Sequence, residues 1–66
     1  MTGVDLKAWR LAAKLSKVDV ADALALSSRT IWRLERLTLD VPRPYHLALQ
    51  QAAGDLRWPP LPSPKD

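Results

Sequence analysis

The chain has 66 residues with no cysteine and one histidine, and its formal net charge at pH 7 is +3. This length predicts one small domain with a modest core, and the lack of cysteine excludes disulfides and thiolate metal sites. No cofactor is expected, and a zinc site is not expected either, because His46 would need mainly carboxylate partners.

The composition also limits where the protein acts and what it does. No apolar run has the length of a membrane span, and the N-terminus lacks the pattern of a signal peptide. We therefore expect a cytoplasmic protein with no membrane partner. Catalysis needs converging titratable groups, and one histidine with scattered aspartates offers no pair of base and nucleophile, so no enzyme is expected.

A first helix is predicted over residues 2–15, where Thr2 and Asp5 have the spacing of a capping box. Its inward stripe consists of Leu6, Trp9, Arg10 and Ala13. A buried guanidinium requires a carboxylate, and Glu35 is the candidate partner of Arg10. The alternative is that the Arg10 side chain extends to solvent without a partner.

A second helix begins at Ser16, which caps it with Asp19 at the third position. It is predicted to end near Leu24 or Ala25, and Ser27 opens the next helix almost at once. Two short helices joined by so short a turn form the helix-turn-helix arrangement, although a plain helical hairpin has the same spacing.

The third helix, over residues 27–36, has two opposite faces. Ser27 is a good N-cap, and Ile31 and Leu34 form an apolar side. The other side carries Ser28, Arg29, Trp32, Arg33 and Arg36. Arginine forks onto guanine and phosphate, so this basic cluster predicts an anionic partner. An ordinary solvated face is the alternative.

A loop over residues 37–43 leads to a fourth helix over residues 44–53. Pro44 suits its first position, and Gly54 suits a left-handed residue beyond its end. His46 is expected at the surface. Residues 1–54 then form the domain, and residues 55–66 form a Pro-rich C-terminal tail.

The tail contains apolar side chains that are costly to leave in water, so we expect at least Trp58 to dock. A dimer interface is predicted from Leu47, Leu56, Trp58 and Leu61. The competing hypothesis is that Trp58 packs on its own core and that the dimer forms only on DNA.

Residues 5–53 resemble the Cro/C1-type (XRE family) helix-turn-helix domain of lambdoid phage repressors. The resemblance rests on Leu-Ser-Lys at 15–17, the small Ala21, the serine before the third helix, Ile-x-x-Leu-Glu at 31–35 and Pro-Arg-Pro at 42–44. Lys17 stands where the family usually has Gln, and Leu37 where it usually has Gly. The implied fold is an all-α, lambda-repressor-like domain of four to five helices.

The resemblance also implies roles for individual residues. Base contacts are implied for Ser28, Arg29 and Arg33, and phosphate contacts for Lys17, Arg36 and Arg43. Trp32 lies on the same face and contacts either a thymine methyl or sugar, or the protein's own loop. Ser27 and Thr30, at the start of the helix, are also predicted to contact phosphates. The family's pair between a first-helix arginine and a later glutamate matches Arg10 and Glu35.

The function implied is a transcriptional regulator, most simply a repressor or autorepressor. It would bind a palindromic operator in double-stranded DNA as a homodimer, with no small-molecule effector evident. The short length is similar to Cro and to the small autoregulators of phage anti-CRISPR operons. The alternative is an antitoxin-like or adaptor module whose basic face binds an acidic protein, and a preference for one DNA sequence over scrambled DNA would distinguish the two.

Overall fold

A computed structural model describes residues 1–62, and in this part of the chain the regular structure consists of α-helices without strands. The helices are α1 (Gly3–Ala12), α2 (Lys17–Ala23), α3 (Ser28–Glu35) and α4 (Arg43–Asp55). An isolated antiparallel bridge joins Thr2 to Asp40. The predicted all-α class is therefore confirmed. Over the same residues, no helix combines the length and the apolar character needed to cross a membrane.

The first three helices begin where the sequence predicts, each at a polar capping side chain. The Thr2 hydroxyl accepts from the Asp5 N–H at 3.3 Å, and the Asp5 carboxylate accepts from the Thr2 N–H at 3.0 Å. Ser16 and Asp19 exchange the same two bonds at 3.0 and 2.9 Å, and Ser27 caps α3. These bonds satisfy donors that a helix start leaves unpaired.

Three helices end through a residue that is left-handed although it is not glycine, namely Lys14, Ala25 and Arg57, with φ of 60°, 56° and 57°. In each case the following N–H donates to the carbonyl five residues earlier. These bonds are Leu15 to Arg10 at 3.0 Å, Leu26 to Ala21 at 2.8 Å and Trp58 to Ala53 at 2.8 Å. This pattern is the Schellman motif. The apolar residue that donates the bond, which is Leu15, Leu26 or Trp58, packs against the core in each case.

These endings correct two predicted boundaries. α1 ends at Ala12 rather than at residue 15, because Lys14 turns the chain out of the helix. Gly54 lies inside α4 and does not have positive φ, and Arg57 takes the left-handed position instead.

The largest fully buried side chains of the core come one from each helix. These side chains are Leu6, Val20, Ile31 and Leu49. Burying a side chain of this size contributes about 1.5–3 kcal/mol. α3 packs against both α1 and α2, so the helix with the basic face is held from two sides.

α1 begins directly against the end of α3. The Gly3 N–H donates to the Leu37 carbonyl at 3.1 Å. A Cβ at Gly3 would collide with the Leu34 carbonyl oxygen and would lie 2.7 Å from that of Leu37. Only glycine permits this approach.

The C-terminal segment packs on the helices as far as it is described. The Trp58 ring meets the Trp9 ring edge to face, with centroids 5.9 Å apart, and Trp9 Nε1 donates to the Pro59 carbonyl at 2.9 Å. Leu61 also packs against the core. The prediction that Trp58 docks is confirmed, and the packing continues across the predicted boundary after residue 54. Residues 63–66 of the tail lie outside the described residues.

His46 is buried, with 6% of its surface exposed, so its predicted surface position is wrong. The buried residues of α4 are His46, Leu49, Ala52 and Ala53. The Gln50 side-chain nitrogen lies 3.3 Å from His46 Nε2. An amide nitrogen only donates, so this contact is a hydrogen bond in the tautomer whose Nε2 carries no proton. This partner one turn along the helix is what allows a polar ring in the core.

Burial lowers the pKa of His46 below its ordinary value, because the charged ring would lose its hydration. The N-terminal ammonium lowers this pKa further, and the Asp40 carboxylate opposes both effects. Asp40 also lies 3.6 Å from that ammonium. The neutral ring is therefore the form that the folded chain favours.

Candidate nucleic-acid interface

α3 is fixed in the fold by its inner face, on which Ile31, Leu34 and Glu35 are buried. Its N-terminus is fixed by Ser27, whose hydroxyl accepts from the Thr30 N–H at 3.3 Å. A helix held on one side and capped at its start presents its outer side chains from a rigid base. Rigid placement is what discrimination between bases requires.

The outer face of α3 is basic and exposed. Ser28, Arg29, Arg33 and Arg36 are exposed, and Trp32 is 45% exposed. Within residues 1–62 the ion pairs are Met1–Asp40 and Arg10–Glu35, so none of these three arginines is neutralised by a described carboxylate. The structure therefore presents on one surface the side chains predicted to contact bases.

The carboxylate of α3 itself is directed away from this surface. Arg10 Nε lies 2.6 Å from Glu35 Oε2, and a second guanidinium nitrogen donates to Oε1 at 3.2 Å. Both side chains are buried. The ion pair predicted from the sequence is thus present, and it leaves the outer face of α3 purely cationic.

A third bond on Arg10 was not predicted. Its remaining terminal nitrogen donates to the Leu15 carbonyl at 2.9 Å, in the turn that precedes α2. Arg10 therefore joins α1, the end of α3 and the start of α2. A backbone carbonyl leaves no side-chain signal in the sequence, which explains why this partner was missed.

Two predicted phosphate contacts, Ser27 and Thr30, are already bonded to each other. Their hydroxyl oxygens are 3.0 Å apart, and Thr30 is half-buried. One hydroxyl of the pair donates to the other. A phosphate would therefore meet a hydroxyl pair with a single free proton, and the predicted contact stays a prediction.

The other predicted phosphate contacts stand at the starts of two helices. Lys17 is the first residue of α2 and is half-buried. Next to it, the Ser16 backbone and hydroxyl hydrogen bonds lower the pKa of Asp19, so this cap is a carboxylate at neutral pH.

Arg43 is exposed at the first position of α4, one residue before the predicted start. Pro44 takes the second position, where its missing N–H costs nothing.

Trp32 has a partner within the chain. The Arg36 guanidinium carbon lies over its indole ring, 4.6 Å from the ring centroid. This distance is that of a cation–π contact. The spacing of four residues on one helix face is the sequence signal that could have indicated the contact. One side of the Trp32 ring is therefore occupied by the protein itself.

The predicted dimer residues divide into two groups. Leu47 and Leu56 are exposed, by 54% and 52%. Trp58 and Leu61 are half-buried against the core of their own chain. An open groove of about 300 Å³ lies beside them, lined by Gln50, Ala53, Gly54, Trp58, Pro60 and Leu61. The packing of Trp58 agrees with the competing hypothesis, and a two-fold contact through this segment remains a prediction.

Comparisons with family models, with curated proteins and with solved structures find no match to this chain. Its functional interpretation therefore depends on the residues and contacts described above.

Proposed function

We propose that this chain is a sequence-specific DNA-binding transcriptional regulator with a Cro/C1-type helix-turn-helix fold. The form that we favour is a cytoplasmic repressor that binds a palindromic operator as a homodimer. In this proposal α3 enters the major groove, and Arg29 and Arg33 donate to guanine O6 and N7. No catalytic role is assigned to any residue.

One observation carries the proposal. α3 has a fully anchored inner face, and its outer face presents Arg29, Arg33 and Arg36 without a described carboxylate partner. Its single carboxylate, Glu35, is neutralised by Arg10 in the interior. Uncompensated positive charge on one face is expected to attract a polyanion, and arginine on a rigid helix matches guanine edges.

The homodimer follows from the size of this surface. One short helix covers only a few base pairs, which is too few to select one site in a genome. Two copies related by a dyad would read half-sites about one helical turn apart, at roughly 34–36 Å. Leu47 and Leu56 are the exposed apolar side chains that the proposal assigns to this contact.

The proposal is tested by selecting bound fragments from a random pool of duplex DNA with the wild-type chain. We expect a palindromic motif, and we expect the selected duplex to be bound more tightly than a scrambled duplex of equal length and composition. A pool with no enriched motif would contradict sequence-specific binding. If an acidic polypeptide then bound more tightly than either duplex, the protein-interaction alternative would be favoured.

A further inference from the structure

We propose that Trp32 is a positioning residue, whose indole holds the Arg36 guanidinium in place for a DNA phosphate. This inference rests on the proposed function and extends it. Trp32 itself then acts through Arg36 and does not read a base. The inference assigns a role to a side chain for which the sequence alone left two interpretations open.

The first step is the geometry of the pair. Trp32 lies in the last turn and a half of α3, and Arg36 is the residue that caps its C-terminus. The guanidinium carbon is 4.6 Å from the ring centroid. Both side chains are exposed, so the contact forms at the surface. Nothing in the interior requires it.

The second step is what the cation–π contact does to the guanidinium. The contact is made with the face of the indole ring and consumes none of the five N–H donors of the group. Arg36 forms no ion pair with a described residue. A guanidinium held over a ring has also given up much of its rotamer freedom before any ligand arrives, so less entropy is lost on binding. The pair therefore presents a pre-ordered fork of donors.

The third step is the choice of ligand. Arg36 stands at the opposite end of α3 from Ser28 and Arg29. In helix-turn-helix docking the N-terminal residues of the recognition helix contact base edges. A basic residue at the far end is suited to the flanking phosphates, for which a bidentate guanidinium is the matching shape.

The experiment is a double-mutant cycle on duplex binding, with Trp32→Ala, Arg36→Ala and the double variant. The probes are the duplex selected by the wild-type chain and its scrambled counterpart, each over a series of salt concentrations. Trp32→Ala should weaken binding to both duplexes equally, by about two- to fivefold, as expected for an exposed cation–π contact. In the Arg36→Ala background the same change should have no further effect.

Two additional variants separate positioning from a general loss of structure. Trp32→Phe keeps an aromatic face and should restore most of the affinity lost in Trp32→Ala. The matched control is the cycle of Trp32→Ala with Arg43→Ala, because Arg43 is on α4 and has no contact with the indole among the described interactions. The effects of this second pair should multiply.

The contact itself is measured without DNA. The δ-methylene protons of Arg36 should show an upfield ring-current shift in the NMR spectrum of the wild-type chain, and the shift should be absent in Trp32→Ala.

Three outcomes would overturn the inference. Multiplying effects of Trp32→Ala and Arg36→Ala would show that the two residues act independently. A loss in Trp32→Ala confined to the selected duplex would show that Trp32 reads a base. A wild-type chain without preference for the selected duplex would overturn the proposed function together with the inference, whereas the first two outcomes leave the proposed function standing.

Discussion

At the scale of single residues, the most demanding interaction is the buried ion pair of Arg10 and Glu35. Two charges removed from water are stable only when their donors and acceptors are satisfied. Here Arg10 makes bonds to both carboxylate oxygens and to the Leu15 carbonyl. Over the described residues, no buried side-chain nitrogen or oxygen lacks a partner. The pair therefore fixes how α1, α2 and α3 meet.

Breaking this pair on one side should be severely destabilising. We expect Glu35→Gln to lower the free energy of unfolding by about 3–5 kcal/mol, because it leaves Arg10 charged and buried without a counter-ion. Thermal melts followed by circular dichroism measure the change. Asp22→Asn, which changes an exposed carboxylate outside the described ion pairs, is the control and should melt nearly as the wild type does.

The double variant Arg10→Met with Glu35→Leu adds a second test. Replacing both charges by apolar groups removes the stranded charge, so this variant should be more stable than Glu35→Gln. A Glu35→Gln melt indistinguishable from that of the wild type would show that the pair does not matter.

His46 should make stability depend on pH in a defined window. Its folded-state pKa is lowered from 6.5, so the unfolded chain binds more protons once the pH falls below that value. The free energy of unfolding should have its full value above pH 6.5. It should decline as the pH falls from there toward the folded-state pKa of His46. The lowered pKa of Asp19 reduces stability only as the pH falls below 3.8. The effects of His46 and Asp19 on stability therefore occur in separate pH ranges.

Urea unfolding at about pH 7.5 and about pH 5 measures this decline through linear extrapolation. The His46→Gln variant cannot titrate at this position, so its stability should change less between the two values. An equal decline in both proteins would show that His46 does not cause it.

At the scale of helices, beginnings and ends obey different rules. The beginnings of α1, α2 and α3 are each defined by Ser or Thr with a partner three residues later, a local pattern that the sequence displays. α4 has no side-chain cap and begins instead after Pro42. Each Schellman ending uses Lys14, Ala25 or Arg57, none of which is the glycine that such a position favours. What selects these positions is the apolar residue that follows, because it must reach the core. That choice depends on tertiary packing and was not available from local sequence.

Relieving one of these left-handed residues should stabilise the chain. Ala25→Gly removes a Cβ penalty of about 1–2 kcal/mol and adds backbone entropy to the unfolded state, so the expected net gain is about 0.5–1 kcal/mol. Chemical denaturation measures it. The control is Ala8→Gly, in the exposed middle of α1, which should cost about 1 kcal/mol. A loss of stability in both variants would contradict the role of Ala25.

The two glycines of the chain should respond oppositely to alanine. Gly3→Ala places a Cβ against the backbone of α3, so α1 must shift and the melting temperature should fall. Gly54→Ala adds a methyl group to a helical site with no neighbour within 4 Å, and should add about 0.5–1 kcal/mol through helix propensity. Two variants with equal melting temperatures would refute the close contact at Gly3.

The candidate site divides between predictable and unpredictable features in the same way. The outer face of α3 follows from helical periodicity, and the Arg10–Glu35 pair follows from a charge on an apolar stripe. The burial of His46 depends on how α4 packs in the fold, and a polar ring at the edge of an apolar stripe gives no local signal that it is buried. The approach of Gly3 to α3 is a contact between backbones, which side-chain patterns do not reveal.

At the scale of the whole molecule, the fold separates an anchored interior from one cationic surface. The core of four helices and the Trp9–Trp58 contact hold the chain together, and two of the exposed leucines, Leu47 and Leu56, lie on or beside α4. A chain ending at residue 54 would lose the Trp58 packing. The oligomeric state is therefore better compared between the full chain and point variants of Leu47 and Leu56.

The central claim is that the outer face of α3 reads DNA sequence. The most direct measurement compares the motifs selected from random duplex DNA by the wild type, Arg29→Ala and Arg43→Ala, with affinities for the selected and scrambled duplexes. Arg29→Ala should lose about 1–3 kcal/mol at the selected site and relax the preference at one position of each half-site. Arg43→Ala should keep the motif, weaken both duplexes alike and reduce the salt slope by about one per subunit. If Arg29→Ala and Arg43→Ala showed the same sequence-independent loss with an unchanged motif, α3 would not be the reading element.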